Sequence, residues 1–239
     1  MNSNNLVKLA GAAGALVAFQ NWFRIKHFRA DIPKDYMLKK YGYPDSKFLH
    51  LPFHSSHLDI HYLDNFKPDP VQGIDPRPVL VLVHGTFASV HTWDGWVERL
   101  GDIYRIIRLD LPGFGFTGPH SVKDIDYTPD MFADTVRRFL LSIPNSPFTS
   151  SNKQVFLAGN SLGGMVCWAF TELYPELVRG LILLDTMGPL FFPPPVFLLA
   201  MCPGFPNMLR WTIPQTWTKF YIKQVFKDKQ KITPAMFQR

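Results

Sequence analysis

Four short apolar runs constrain the possible folds of this chain more than any other feature of the sequence. Each has the length of one strand, and they are PVLVLV (78–83), IIRLD (106–110), QVFL (154–157) and LILLD (181–185). Continuous branched-apolar runs are typical of strands that are buried on both faces. Between them, residues 130–143 place apolar side chains on one helical face, and after position 161 Val166, Phe170 and Leu173 do the same. The alternation predicts an α/β fold with a mostly parallel sheet and right-handed crossovers.

The segments before the first buried strand have a different pattern. SKFLHLPF (46–53) and LDIHYLD (58–64) alternate or run apolar over strand-like lengths, and they predict a leading antiparallel pair. Residues 30–45, with Pro33 and Pro44, indicate a connecting segment. At 239 residues, with 46% hydrophobic and only 18% charged residues, the chain has the composition of a globular protein with a sizeable core.

Charge and cysteine content narrow the classes of partner. The formal net charge is +6, but the basic residues are scattered and form no stripe with interleaved aromatic residues. Nucleic acid is therefore not an expected partner. The two cysteines, Cys167 and Cys202, have no spacing typical of a metal site or a redox pair, which favours a reduced, cytosol-facing domain. We expect no metal and no organic cofactor.

The N-terminus contains an apolar run, LAGAAGALVAF (9–19), which with its flanks extends over residues 6–23. As a helix this stretch would be about 27 Å long, close to the roughly 30 Å of hydrocarbon in a bilayer. Basic residues at 24, 26 and 29 follow it directly, which favours an anchor with the domain on the cytoplasmic side. The alternatives are a signal peptide of a secreted or periplasmic protein, whose cleavage site would be poor, and a helix packed on the domain.

The segment GNSLG (159–163) matches G-x-S-x-G between a buried-strand run and a helical pattern. A sharp strand-to-helix turn exposes the serine oxygen, and only glycine fits at the crowded flanking positions, Gly159 and Gly163. The amide of Leu162 would then point toward a developing oxyanion. The pattern predicts Ser161 as a nucleophile, and a turn without catalytic role is the alternative.

Two other polar segments follow buried strands. In HGTF (84–87), Gly85 allows a backbone turn, so that the amide of Thr86 or Phe87 can supply a second oxyanion donor. His84 is interpreted as a structural histidine that holds this loop. Asp110, in DLPGFGFTG, is interpreted as a cap of the following turn and not as an acid or base.

Taken in order, the segments VLVLVHGTFASVHTWDGW, IIRLDLPGFGFTGP, VFLAGNSLGGM and ELYPELVRGLILLD resemble the α/β-hydrolase superfamily, in its capped, esterase-like branch. The resemblance covers residues 45–190. It implies a Ser-His-Asp triad, an oxyanion hole at the HG loop and a helical cap. The domains expected are a membrane anchor (1–29), a partial hydrolase core (30–186) and the beginning of the cap (187–239). Serine at the elbow, where the related haloalkane dehalogenases and epoxide hydrolases carry aspartate, disfavours those two chemistries.

The histidines depart from the pattern of this family. All eight precede Ser161, whereas the resemblance places the triad histidine, and usually the acid, after the last strands. We therefore expect a C-terminally truncated chain that lacks the last core strands and the base. Asp185 matches a minority position for the acid, although a polar residue ending a strand is the other interpretation. A metal site at His54, His57 and His61 is not expected, because in a strand His54 falls on another face.

The resulting functional hypothesis is a membrane-anchored serine hydrolase. Through an acyl-enzyme it would cleave an ester or related acyl bond of a hydrophobic, small-to-medium substrate. Two alternatives remain open. One is a non-catalytic member that binds an apolar ligand or a partner, and the other is a carbon–carbon bond hydrolase or perhydrolase on the same scaffold.

Overall fold

A computed structural model describes residues 32–53, 56–118, 126–148 and 154–186, together with the single residues 14, 18, 19, 21, 22, 223, 228 and 230. The elements defined here all belong to one compact unit, Pro33–Phe191. Its helices are α1 (Lys34–Tyr41), α2 (Asp94–Leu100), α3 (Pro129–Ser142) and α4 (Leu162–Leu173). Its strands are β1 (Lys47–Phe53), β2 (Ser56–Asp64), β3 (Val79–Val83), β4 (Arg105–Leu109), β5 (Val155–Asn160) and β6 (Val178–Leu184). Short 3₁₀ helices occupy Val90–Trp93 and Pro175–Leu177.

The six strands form one sheet in the order β1-β2-β4-β3-β5-β6. β1 pairs with β2 and β2 with β4 in antiparallel fashion, whereas β4, β3, β5 and β6 are parallel to one another. The predicted α/β class, with a mostly parallel sheet and a leading antiparallel pair, is confirmed. Because β4, β3 and β5 are adjacent and parallel, their carboxyl ends meet at one edge of the sheet, where polar residues follow each strand.

Opposite faces of the sheet carry different helices. Alternation along β3 turns Val81 and Val83 to one face and Leu80 and Leu82 to the other. The first face packs against α3 and α4 through the buried side chains of Phe132, Val136, Phe139, Val166 and Phe170. The second packs against α2 and the 3₁₀ helix before it, through Trp93, Trp96 and Val97. The side chain of Thr128 accepts a hydrogen bond from the amide of Met131 and so caps the start of α3.

Two details of the structure differ from the sequence prediction. Residues 34–41, predicted as part of a connecting segment, form α1, and the amide of Gly42 closes this helix on the carbonyl of Leu38. No residue of α1 is buried, so the helix has no apolar stripe that a periodicity pattern could detect. In α4, Leu173 was expected on the core face, yet it is 45% exposed.

The N-terminal anchor and the cap predicted from residue 187 onward lie outside the described residues, apart from the single positions named above. Within the part of the chain that the structure describes, no helix has the length and apolar character needed to cross a bilayer. At the β6 edge, Ile182 and Leu183 are 38% and 39% exposed, as expected for an apolar strand that pairs on one side with β5.

Candidate active site

Ser161 stands between the end of β5 and the start of α4 in an unusual backbone conformation. Its φ of 52° and ψ of −116° lie outside the regions that side-chain-bearing residues normally occupy. Such a conformation costs about 1–3 kcal/mol and persists only where surrounding contacts hold it. Here the Ser161 amide donates to the carbonyl of Leu184 at 2.9 Å, and the Ser161 carbonyl accepts from Met165 at 3.1 Å. The turn is therefore held by both β6 and α4.

Close backbone contacts explain the two glycines on either side of this turn. A Cβ added at Gly159 would overlap the carbonyl of Gly163, and a Cβ added at Gly163 would overlap the carbonyl of Val83. Backbone atoms cannot move away as a flexible side chain would. The absence of side chains at both positions therefore lets the first turn of α4 approach β3 and β5 directly.

The loop after β3 lies against the same turn. A Cβ on Gly85 would be 3.1 Å from the Cβ of Ser161 and 2.9 Å from Oδ1 of Asn160. The amide of Ala88 donates to the Gly85 carbonyl at 3.2 Å, which makes Thr86 and Phe87 the central residues of a turn. Leu162 is the first residue of α4, where amides have no acceptor within their own helix. The structure thus brings the loop that contains Thr86 and Phe87 close to Ser161, which Leu162 follows as the first residue of α4.

His84 is buried at the end of β3, and both of its ring nitrogens are engaged. Nδ1 donates to the carbonyl of Gly85 at 2.8 Å, and Nε2 accepts from the amide of Leu111 at 3.0 Å. Because the Leu111 amide can only donate, the second bond fixes the neutral tautomer. Burial lowers the pKa of His84, against smaller opposing effects of the Gly85 hydrogen bond and of Asp110. The ring is thus tied to the backbone of the loop it follows.

Asp110, at the end of β4, is the centre of a buried polar chain. Its Oδ2 lies 2.8 Å from Nδ1 of His61, and Nε2 of His61 lies 3.0 Å from Oγ of Ser46. The carboxylate also accepts from the amides of Val90 and Phe116, at 2.8 and 2.9 Å. Burial alone would raise the pKa of Asp110, but the bonds from His61 and these amides outweigh it and hold the pKa below its usual value.

The chain from Ser46 through His61 to Asp110 has the residue types of a catalytic triad, but it lies away from the elbow. β3 separates β4 from β5, and with neighbouring strands about 4.8 Å apart the two strand ends are about 10 Å from each other. None of the described residues forms a hydrogen bond with Oγ of Ser161. The sequence indicated a turn-capping role for Asp110. It did not reveal His61, because antiparallel pairing of β2 with β4 joins residues 49 positions apart.

Asp185, the candidate acid, follows β6 with a φ of 46° and an exposed side chain. No hydrogen bond joins it to a histidine within the described parts of the chain. Its neighbour Thr186 packs instead against α4, where a Cβ on Gly164 would overlap the Thr186 hydroxyl.

A separate cluster of titratable side chains lies on the outer hairpin. Nδ1 of His50 is 2.9 Å from Oδ1 of Asp59, and the rings of His50 and His57 stack with centroids 4.2 Å apart. The sequence pointed to His54, His57 and His61 as the combination to consider. His54 lies outside the described residues, and His61 is turned to Asp110. Only the strand register reveals His50 as the neighbour of His57.

Comparison with known proteins bears directly on this geometry. The family profile for the α/β hydrolase fold matches residues 78–212, which is more than half of the chain. A serine hydrolase-like protein of Danio rerio is 33% identical over 112 residues, covering 47% of this chain and 32% of the relative. A 2-hydroxy-6-oxo-6-(2'-aminophenyl)hexa-2,4-dienoic acid hydrolase of Metapseudomonas resinovorans is 28% identical over 134 residues, covering 55% of this chain and 40% of the relative.

Epoxide hydrolase 4 of Homo sapiens is also similar, at 28% identity over 116 residues that cover 48% of this chain and 30% of the relative. The chain therefore spans between 30% and 40% of the length of these curated relatives. Among solved structures, a probable hydrolytic enzyme from Pseudomonas aeruginosa PAO1 shares the fold. Its TM-score is 0.59 at 20% identity, over 82% of this chain and 58% of that one. The profile match and the sheet order together show that this chain belongs to the α/β hydrolase fold family.

Proposed function

We propose that Ser161 is the nucleophile of a hydrolase that cleaves an ester or related acyl bond in a hydrophobic, small-to-medium substrate. The observation that carries this proposal is the backbone of Ser161, held at positive φ at the start of α4 by contacts that only glycines permit. Strain of this kind is maintained at functional sites more often than in ordinary turns.

In the proposed reaction, Oγ of Ser161 attacks the acyl carbon and its proton passes to a general base. The carbonyl oxygen becomes negatively charged, and the amides of Leu162 and of Thr86 or Phe87 donate to it, assisted by the dipole of α4. Collapse of this intermediate expels the leaving group and forms an acyl-serine. Water then attacks the same carbon, and the serine hydroxyl is regenerated.

Neither of the two buried histidines among the described residues, His84 and His61, is placed to act as this base. Both ring nitrogens of His84 are hydrogen-bonded to backbone groups. His61 lies on β2, which β4 and β3 separate from β5 in the sheet. Loss of the histidine in a serine hydrolase lowers turnover by about a million-fold. Oxyanion stabilisation alone leaves an advantage over water of roughly a thousand-fold.

A carbon–carbon bond hydrolase is the second candidate, because the relative from Metapseudomonas resinovorans bears the name of a hydrolase of a 2-hydroxy-6-oxo-dienoic acid. Such a substrate also presents a carbonyl carbon to a serine. Epoxide opening is the weaker candidate despite the similarity to epoxide hydrolase 4, since this elbow carries the hydroxyl of Ser161 and no carboxylate.

The experiment is covalent labelling with a fluorophosphonate probe, applied to the full-length protein. We expect the wild type to be labelled and mass spectrometry to place the adduct on Ser161. Ser161→Ala should abolish labelling. Ser46→Ala is the matched control, because Ser46 is also hydrogen-bonded to a histidine but lies outside the elbow, and it should leave labelling intact.

An unlabelled wild type would contradict the proposal and favour a non-catalytic, ligand-binding member of the family. Equal labelling of the wild type and Ser161→Ala would show that another residue is the nucleophile.

A further inference from the structure

The antiparallel pair β1–β2 displays three metal-ligating side chains on its solvent-exposed face. In the register, His50 is opposite Asp59 and Pro52 is opposite His57. Cross-strand partners share a face, and so do residues two positions apart on one strand. His50, His57 and Asp59 therefore project to the same side.

Burial on the other face fixes this arrangement. The alternate residues of the two strands are buried in the core, and they include Leu51, Leu58 and Ile60. A shift of one residue in register would expose these apolar side chains and bury the polar ones. The three polar side chains are thus held on one side by the hydrophobic core and not by their own interactions alone.

The distances suit a shared ligand. One ligand atom from each of the three side chains can be chosen so that all lie within 4.8 Å of one another. His50 and Asp59 are within hydrogen-bonding distance, whereas His57 contributes a stacked ring that forms no hydrogen bond with any described residue. A simple cross-strand ion pair accounts for His50 and Asp59, but it does not account for a second imidazole stacked on the first.

We propose that His50, His57 and Asp59 form a binding site for a divalent transition metal ion, of which Zn²⁺ is the best match. Two imidazole nitrogens and one carboxylate oxygen are a ligand set that zinc accepts, at bond lengths of about 2.0–2.2 Å. In tetrahedral geometry such ligand atoms are separated by about 3.4 Å, and none of the three ligand atoms here is more than 4.8 Å from another. Exposure of all three residues leaves the fourth position to water.

The bound ion cross-links β1 and β2 at the edge of the sheet. Because it binds the folded hairpin and not the separated strands, it stabilises the folded protein by mass action. The site lies at the opposite end of the strand order from the Ser161 turn, so the ion has no part in the proposed hydrolysis.

The test is isothermal titration of the untagged protein with ZnCl₂ at neutral pH. We expect one high-affinity ion per chain. His50→Gln and His57→Gln should each weaken zinc binding by more than the roughly 10–100-fold that is typical for loss of a residue that only hydrogen-bonds to a metal ligand. His91→Gln is the matched control, because His91 is an exposed histidine on another element, and it should bind zinc as the wild type does.

Equal zinc affinity in the wild type and in the double variant His50→Gln/His57→Gln would overturn the proposal, as would the lack of a stoichiometric site. A second measurement needs no variant. The electron paramagnetic resonance spectrum of the protein with one equivalent of Cu²⁺ should show two imidazole nitrogens bound to copper, and a spectrum without nitrogen ligands would equally overturn the site.

Discussion

Two serines of this protein have opposite surroundings. Ser46 completes a hydrogen-bonded chain with His61 and Asp110, but its Oγ also accepts a hydrogen bond from the amide of Tyr43 in an ordinary turn. Ser161 has no such chain among the described residues, yet its backbone is strained, it begins a helix, and glycines flank it.

The difference shows that a hydrogen-bonded Ser-His-Asp chain and a strained serine at a helix start occupy separate positions in this protein. His61 is fully buried, and Ser46 follows a helix instead of preceding one, so no N-terminal helical amide is placed to hold an oxyanion there. At Ser161 the backbone is strained and the first turn of α4 follows directly, whereas Ser46 lies in an ordinary turn. The backbone geometry distinguishes the two positions.

The largest expected effect on stability comes from removing the carboxylate at the buried end of the hydrogen-bonded chain Ser46–His61–Asp110. Asp110→Ala leaves the Nδ1 proton of His61 and the amides of Val90 and Phe116 without an acceptor. Each buried unsatisfied donor costs about 1–3 kcal/mol, so with three donors we expect the free energy of unfolding to fall by at least about 3 kcal/mol. Urea denaturation at neutral pH measures it.

The control for Asp110→Ala is Ser46→Ala, which removes a half-buried hydroxyl at the other end of the same chain. A loss of about 1 kcal/mol is expected there. An equal loss of stability in both variants would contradict the view that the Asp110 carboxylate is the main stabilising group of this hydrogen-bonded chain.

The next effect comes from the elbow. Gly163→Ala introduces a Cβ that overlaps the carbonyl of Val83, and forcing α4 away from β3 should cost about 1–3 kcal/mol. Gly95→Ala, in α2, is the matched control. Its Cβ would meet only the flexible end of Arg99 at 3.2 Å, and stability there should stay level or rise. Thermal unfolding of both variants compares them, and equal melting temperatures would contradict the close approach at the elbow.

The smallest effect concerns His84, which lies between the two regions. Burial holds the pKa of His84 below its usual value, so below about pH 6.5 the unfolded state binds the proton more readily than the folded state. Stability should therefore fall as the pH is lowered from 7.5 to 5. The equilibrium constant for unfolding should rise by less than about tenfold per pH unit. In His84→Gln the fall should be smaller, and identical pH profiles would rule out this role of His84.

Much of the fold could be predicted because its signals are local. The buried runs at β3, β4, β5 and β6 predicted the parallel strands, and the elbow motif predicted a sharp turn at Ser161. The helix α1 was not predicted because it buries no residue in the core, and its sequence therefore has no periodic apolar pattern.

Contacts across strands could not be predicted. His61 and Asp110 are 49 residues apart, and nothing in either segment indicates the other. The cluster of His50, His57 and Asp59 likewise depends on an antiparallel register, where a shift of one residue would separate the three side chains.

The sequence by itself determined the α/β class, the family and the strand-to-helix turn at Ser161, because apolar runs and glycine spacing act within a few residues. Only the tertiary structure decided which polar side chains meet. Hydrophobic burial sets the strand order and register, and these bring Ser46 to His61, His61 to Asp110, and the loop of Gly85 to Ser161. Those pairings follow from the packing of the whole sheet, a property that no single segment of the chain contains.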